Sequence, residues 1–98
     1  GFSVMAVWQP VIFAKPVRTP YEEREAARSA ASRNLFETAY AHVAATASPC
    51  GSEPLHDISG VFAGQPAPHF LDGMHLTETG NRDVAQAMVP AIIGVFSR

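Results

Sequence analysis

The run FSVMAVW at residues 2–8, closed by Gln9-Pro10, constrains the fold more than any other feature of the chain. It is apolar apart from Ser3. A short continuous apolar run of this kind fits a strand buried on both faces, as in a parallel sheet with helices on either side. Pro10 has no amide hydrogen, so regular pairing is expected to fade there. With 98 residues the chain is one domain at most. A chain that opens on an interior strand reads as cut from something larger. The expectation is that residues 1–98 form the C-terminal part of a single domain whose N-terminal part is absent.

After this strand, VIFAKPVRTP reads as an extended connection. Thr19 then caps a long helix, with Pro20 at its first position and Glu22 three residues after the cap, the spacing of a capping box. Glu22, Glu23 and Glu25 complement the positive end of the helix dipole. An alanine run through Ala26, Ala27, Ala30 and Ala31 favours the helix, and Tyr21, Leu35, Phe36, Tyr40, Val43 and Ala47 supply its apolar stripe. The helix is expected to end near Ser48-Pro49, before the turn PCGSEP. LHDIS at 55–59 is short enough for a second strand. GVFAGQPAPHF is a Gly/Pro loop with room for one helical turn at Val61-Phe62. The last helix is expected from Thr77 or Thr79 to Ile93, with Val84, Ala85, Met88, Ile92 and Val95 or Phe96 along its apolar face. Strand, helix, strand, loop and helix in that order make an α/β pattern.

Several functional classes are excluded at this level. Seven basic residues against nine acidic ones leave a net charge of −2 and no basic stripe to neutralise phosphates, so no nucleic acid partner is expected. No apolar run approaches the roughly 18 residues of a membrane span. Cys50 is the one cysteine, so no internal disulfide forms, and it reads as a spectator thiol.

The chemistry concentrates in FLDGMHLTETGNRDVAQAM, residues 70–88. A loop after an apolar stretch and before a helix is where α/β proteins place reactive groups. There Asp72 precedes His75 by three residues, close enough for the carboxylate to reach the near ring nitrogen. An imidazole held that way has a fixed tautomer, with its other nitrogen free to take a proton. By spacing alone the pair is either the base half of a nucleophilic triad or a capped surface turn. His69, Asp72 and His75 also form a His-x-x-Asp-x-x-His series, but metal ligation from one helical face is opposed by Pro66, Pro68 and Gly73. No metal or other cofactor is expected. His69 reads as an exposed loop residue and His42 as solvated. His56 and Asp57, being adjacent on a strand, point to opposite faces. Trp8 and Tyr40 read as core, and Gln9 as bordering a cleft. Arg24, Arg28 and Arg33 with Glu25 and Glu37 read as a solvated helix face.

The segment LDGMHLTETGNRDVAQAMVPAI resembles the last block of the SGNH hydrolases, the GDSL-type serine esterases and lipases, through Asp72, His75, Thr77, Gly80, Asn81 and Ala85. HDISGVFAG resembles the strand and turn before that block. VMAVWQPVIFAKP resembles the family's strand ending in Gln-Pro. The resemblance implies a three-layer α/β/α, flavodoxin-like fold, of which this chain covers the C-terminal strands and helices. It also implies a metal-free esterase or lipase that cleaves acyl or acetyl esters of small molecules, carbohydrates or lipids. His75 would be the general base and Asp72 would orient it.

The family's Gly-Asp-Ser turn and its oxyanion Gly and Asn blocks are absent. Ser3, Ser29, Ser32, Ser48, Ser52, Ser59 and Ser97 lack that setting, and Asn81 belongs to the last block. The nucleophile and oxyanion hole are therefore expected outside this chain, which alone should be inactive. Its expected macromolecular partner is the absent N-terminal half or another copy of itself. A non-catalytic α/β binding module and an acyltransferase on the same fold are the rival readings.

Overall fold

The computed structural model describes residues 5–46 and 55–96. Within them the chain is mixed α/β and mostly helical, with a small two-stranded parallel sheet. Strand β1 is Ala6–Trp8 and strand β2 is Leu55–Asp57, in the register Ala6 to Leu55, Val7 to His56 and Trp8 to Asp57. The strand order expected from the sequence is thus present, and β1 stops before Pro10 as the missing amide requires. Burial is less than a two-sided interior strand implies: Ala6 is exposed, and Val7 and Trp8 are half-buried. With a single neighbouring strand, β1 is not enclosed. Residues 2–4 of the apolar run lie outside the described residues.

The connection after β1 is not simply extended. Residues Ile12–Ala14 make one 3₁₀ turn, and Val11, Ile12 and Lys15 are buried in it. Helix α1, Pro20–Arg28, begins as its sequence requires. Thr19 Oγ1 accepts from the Glu22 amide at 3.1 Å, and Glu22 Oε1 accepts from the Thr19 amide at 3.0 Å, completing the capping box.

The single long helix expected beyond it is broken. Helix α1 ends at Arg28, a 3₁₀ turn covers Ala30–Ser32, and α2 runs Arg33–Thr46. Ser29 closes α1 with φ −94° and ψ 12°, its amide shared between the Glu25 and Ala26 carbonyls. Helix propensity in an alanine run is a preference of tenths of a kcal/mol per residue, which tertiary packing overrides. The break rotates the second half so that Phe36 and Tyr40 face inward. Leu35, expected on the stripe, is instead 72% exposed. Phe36 approaches Phe13 and Tyr40, and Tyr40 meets Trp8 at 5.1 Å between centroids. Ala47, the expected helix end at Ser48-Pro49 and Cys50 lie outside the described residues.

Helix α3 spans Glu78–Phe96 and carries Pro90 within it. Its inward contacts come from Val84 and Met88, whereas Ala85 and Ile92 are exposed. The core is Ile12, Ala26, Phe62, Phe70 and Val84, so it draws on the 3₁₀ turn, α1, the loop after β2 and α3. Phe62 lies in the turn expected at Val61-Phe62, where successive i to i+3 bonds join Ile58 to Val61 and Gly60 to Ala63. No described helix is long and apolar enough to cross a membrane.

Candidate functional site

Residues 69–77 form a tight hairpin ahead of α3. The Thr77 amide donates to the His69 carbonyl at 2.8 Å, the Leu71 amide donates to the His75 carbonyl at 2.7 Å, and Phe70 bridges Leu76. Asp72 and His75 occupy its tip. Asp72 Oδ1 accepts from the amides of Met74 at 2.8 Å and His75 at 2.7 Å, a local turn that an aspartate makes readily. The other oxygen, Oδ2, lies 2.8 Å from His75 Nδ1. The amides of His75 and Met74 lower the Asp72 carboxyl from 3.8 to about 2, partial burial opposing them and the His75 ring adding to them. Asp72 is therefore ionised near neutral pH and can only accept. His75 Nδ1 carries the proton in the neutral ring, and Nε2 keeps its lone pair. With its side chain 78% exposed, His75 has that nitrogen available to an incoming group.

The tip is held from the other side of the molecule. The Ile12 amide donates to the Gly73 carbonyl at 3.0 Å, and Tyr21 Oη donates to the Leu71 carbonyl at 2.6 Å. A Cβ at Gly73 would stand 2.8 Å from Ser29 Oγ, so the Ser29 hydroxyl would have to turn aside for any other residue there. At the base, a Cβ on Gly80 would meet the His69 carbonyl oxygen at 2.4 Å, so only glycine lets α3 pack against the hairpin. Thr77 starts α3 by accepting the Gly80 amide on its Oγ1 at 3.0 Å.

A cavity of about 420 Å³ opens beside the pair, lined by Phe13, Ser29, Ser32, Phe36, Met74 and His75 among others. A second groove of about 370 Å³ shares Phe36 and Met74 with it and reaches Trp8, Leu35 and Tyr40. Gln9 borders this groove, and its carbonyl accepts Tyr40 Oη at 2.6 Å. Ser29 and Ser32 face the same cavity as His75, a proximity that sequence reading passed over because 43 residues or more separate them from His75. Neither hydroxyl is hydrogen-bonded to His75, whose described side-chain partner is Asp72. Ser59 sits after β2, its amide donating to Asp57 Oδ1. Ser3, Ser48, Ser52 and Ser97 lie outside the described residues.

The expectation for His69 is overturned. His69 is not an exposed loop residue but fully buried, stacked on Phe62 at 4.0 Å between centroids. Its Nε2 lies 3.3 Å from Asp83 Oδ2 without hydrogen-bond geometry, and its Nδ1 has no hydrogen-bond partner among the described residues. Burial lowers the His69 pKa, and Lys15 adds to this, while Asp83 and Glu22 pull it back up in part. His69 therefore turns inward and His75 outward, so the His-x-x-Asp-x-x-His series does not converge. Among the described residues no group of three His, Cys, Asp or Glu is placed to hold a metal ion.

Glu22 caps α1 as expected and does more besides. It is fully buried, as is Lys15, with which it forms an ion pair through Oε1. Its Oε2 accepts the amides of His69 at 3.0 Å and Phe70 at 3.1 Å. Lys15 Nζ also donates to the Ala67 carbonyl at 2.6 Å. Burial on its own would raise the Glu22 pKa, but the Lys15 hydrogen bond and the Thr19 and His69 amides outweigh it and leave the pKa lowered. On the charged helix face Arg33 reaches Glu37 at 2.7 Å, Arg28 lies 3.8 Å from Glu25, and Arg24 lies over Tyr21, but the Glu25 side chain is largely buried rather than solvated. His42 is exposed on α2. His56 and Asp57 form no pair with each other, and Asp57 bonds Ser59 instead.

Comparison with known protein families, curated proteins and solved structures finds no match to this chain.

Proposed function

We propose that this chain supplies the base and its orienting carboxylate to a serine ester hydrolase of the SGNH type. It would form the C-terminal part of a single three-layer α/β/α domain. One observation carries the reading: an ionised Asp72 holds His75 by Nδ1 at 2.8 Å, and the His75 side chain is 78% exposed and lines an open cavity. This is the arrangement that lets an imidazole take a hydroxyl proton and return it to a leaving alcohol. The reaction would be acyl transfer from a small-molecule, carbohydrate or lipid ester to a serine outside the chain, then to water. Transfer to a second alcohol uses the same groups. The oxyanion donors would also come from outside, and the two-stranded sheet favours a chain that completes itself with the other half or a second copy.

The test is to replace His75 by alanine in the longer protein that holds the serine and to follow hydrolysis of an aryl acetate. Turnover is expected to fall by several orders of magnitude, on the order of 10⁴-fold or more, with the fold retained. Unchanged turnover would remove His75 from the reaction and favour a binding module.

A further inference from the structure

The buried pair Lys15–Glu22 has no place in the hydrolytic reaction, yet several of its contacts reach the segment that carries the reactive pair. Three groups of Glu22 and Lys15 contacts matter. Glu22 Oε2 takes the amides of His69 and Phe70, the first two residues of the hairpin. Glu22 Oε1 takes the Lys15 ammonium and the Thr19 amide. Lys15 fixes the approach to the hairpin through the Ala67 carbonyl. Beyond these anchors the hairpin is rigid by its own bonds, from His69 to Thr77 and from Leu71 to His75. The base therefore helps to set the position of the tip, together with the Ile12 and Tyr21 contacts to Gly73 and Leu71.

We infer that Glu22, clamped by Lys15, is a positioning residue: it sets the backbone register of the 69–77 hairpin and so the alignment of Asp72 with His75. The catalytic meaning of that alignment rests on the ester-hydrolase reading, but the alignment itself does not. A buried ion pair is weak evidence for stability, since well-packed apolar replacements are often neutral or stabilising. What an apolar pair cannot do is accept two backbone amides. The amides of His69 and Phe70 would then seek other acceptors, and the hairpin would move to provide them.

Two double substitutions separate positioning from bulk stability. Lys15→Met with Glu22→Met keeps the volume and removes the acceptor. Lys15→Met with Glu22→Gln keeps one carbonyl oxygen for the two amides and removes the ammonium that would oppose the amide group. In the intact chain, long-range ¹H–¹⁵N correlation at pH 8 reads which nitrogen of His75 carries the proton. The unmodified chain is expected to show the Nδ1–H form, and the Met/Gln chain is expected to keep it. The Met/Met chain is expected to fold but to show the mixture of both tautomers that an unconstrained imidazole gives. A folded Met/Met chain with an unchanged His75 signature overturns the proposal.

If the Met/Met chain does not fold, amide exchange in the unmodified chain decides instead. Under mild denaturant the Met74 and His75 amides, which donate to Asp72, should open together with those of His69 and Phe70. Opening of the tip pair independent of the base pair overturns the proposal equally. In the longer protein, the Met/Met change is expected to lower kcat about 100-fold with little change in KM, the cost of an ångström-scale misplacement. Tautomer loss in a protein whose unmodified form hydrolyses no ester would leave the positioning role standing and remove the hydrolase reading.

Discussion

Glu22 and Asp72 are built alike and used differently. Each carboxylate gives one oxygen to two consecutive or near-consecutive backbone amides, His69 and Phe70 for Glu22, Met74 and His75 for Asp72. Each gives its other oxygen to a basic side chain, Lys15 or His75. The difference is water. Glu22 and Lys15 are fully buried, while the Asp72 and His75 side chains are 49% and 78% exposed. A charge pair sealed from solvent cannot exchange partners and holds backbone in place. One at the surface is free to pass a proton to something that arrives. The same bonding pattern is a clamp at one end of the hairpin and a reactive group at the other.

The largest break in this comparison should come from Glu22→Ala. It strands the Lys15 ammonium and two amides in the interior, and is expected to cost about 3–5 kcal/mol. Chemical denaturation followed by helical circular dichroism reads it. A loss below about 1 kcal/mol would mean that water reaches Lys15 and that the clamp is not sealed.

An intermediate effect is expected from acid. The His69 pKa is lowered from 6.5, so below that pH the unfolded chain takes up a proton that the folded chain resists. The unfolded state then binds more protons, and stability falls as pH drops. The groups facing His69 are Lys15, Asp83 and Glu22, and Lys15 opposes its protonation. Glu22, lowered from 4.5, adds a second loss of the same sign below that value, as does Asp72 between 3.8 and about 2. Thermal melts from pH 8 to 4 should therefore be flat above about 6.5 and decline below it. A melting temperature that rises on acidification through this range would contradict the burial of His69.

The smallest effect on stability should come from Asp72→Asn. The amide oxygen still accepts from Met74 and His75, so the change is expected to stay within about 0.5 kcal/mol. The amide nitrogen, however, would face His75 Nδ1 as a donor and reverse the tautomer, the change that disables a triad without altering its geometry. A large loss of stability would show that the tip, like the base, is a structural clamp.

Local devices were legible in the sequence. The Thr19–Glu22 capping box, the end of β1 before Pro10, a short strand within 55–59 and the three-residue spacing of Asp72 and His75 are each signalled by residues within a few positions of one another. Those signals rest on local backbone rules. What lay beyond reach were contacts closed over long separations. Glu22 meets His69 and Phe70 across 47 and 48 residues, and Lys15 meets Ala67 across 52. The break of the long helix falls at Ser29, which lies against Gly73 of the hairpin 44 residues on. The loop setting of His69 argued for solvent, and nothing near Lys15 or Glu22 in the sequence signals their burial. Only the assembled tertiary structure brings an ammonium, a carboxylate and two backbone amides together so that burial costs less than separation.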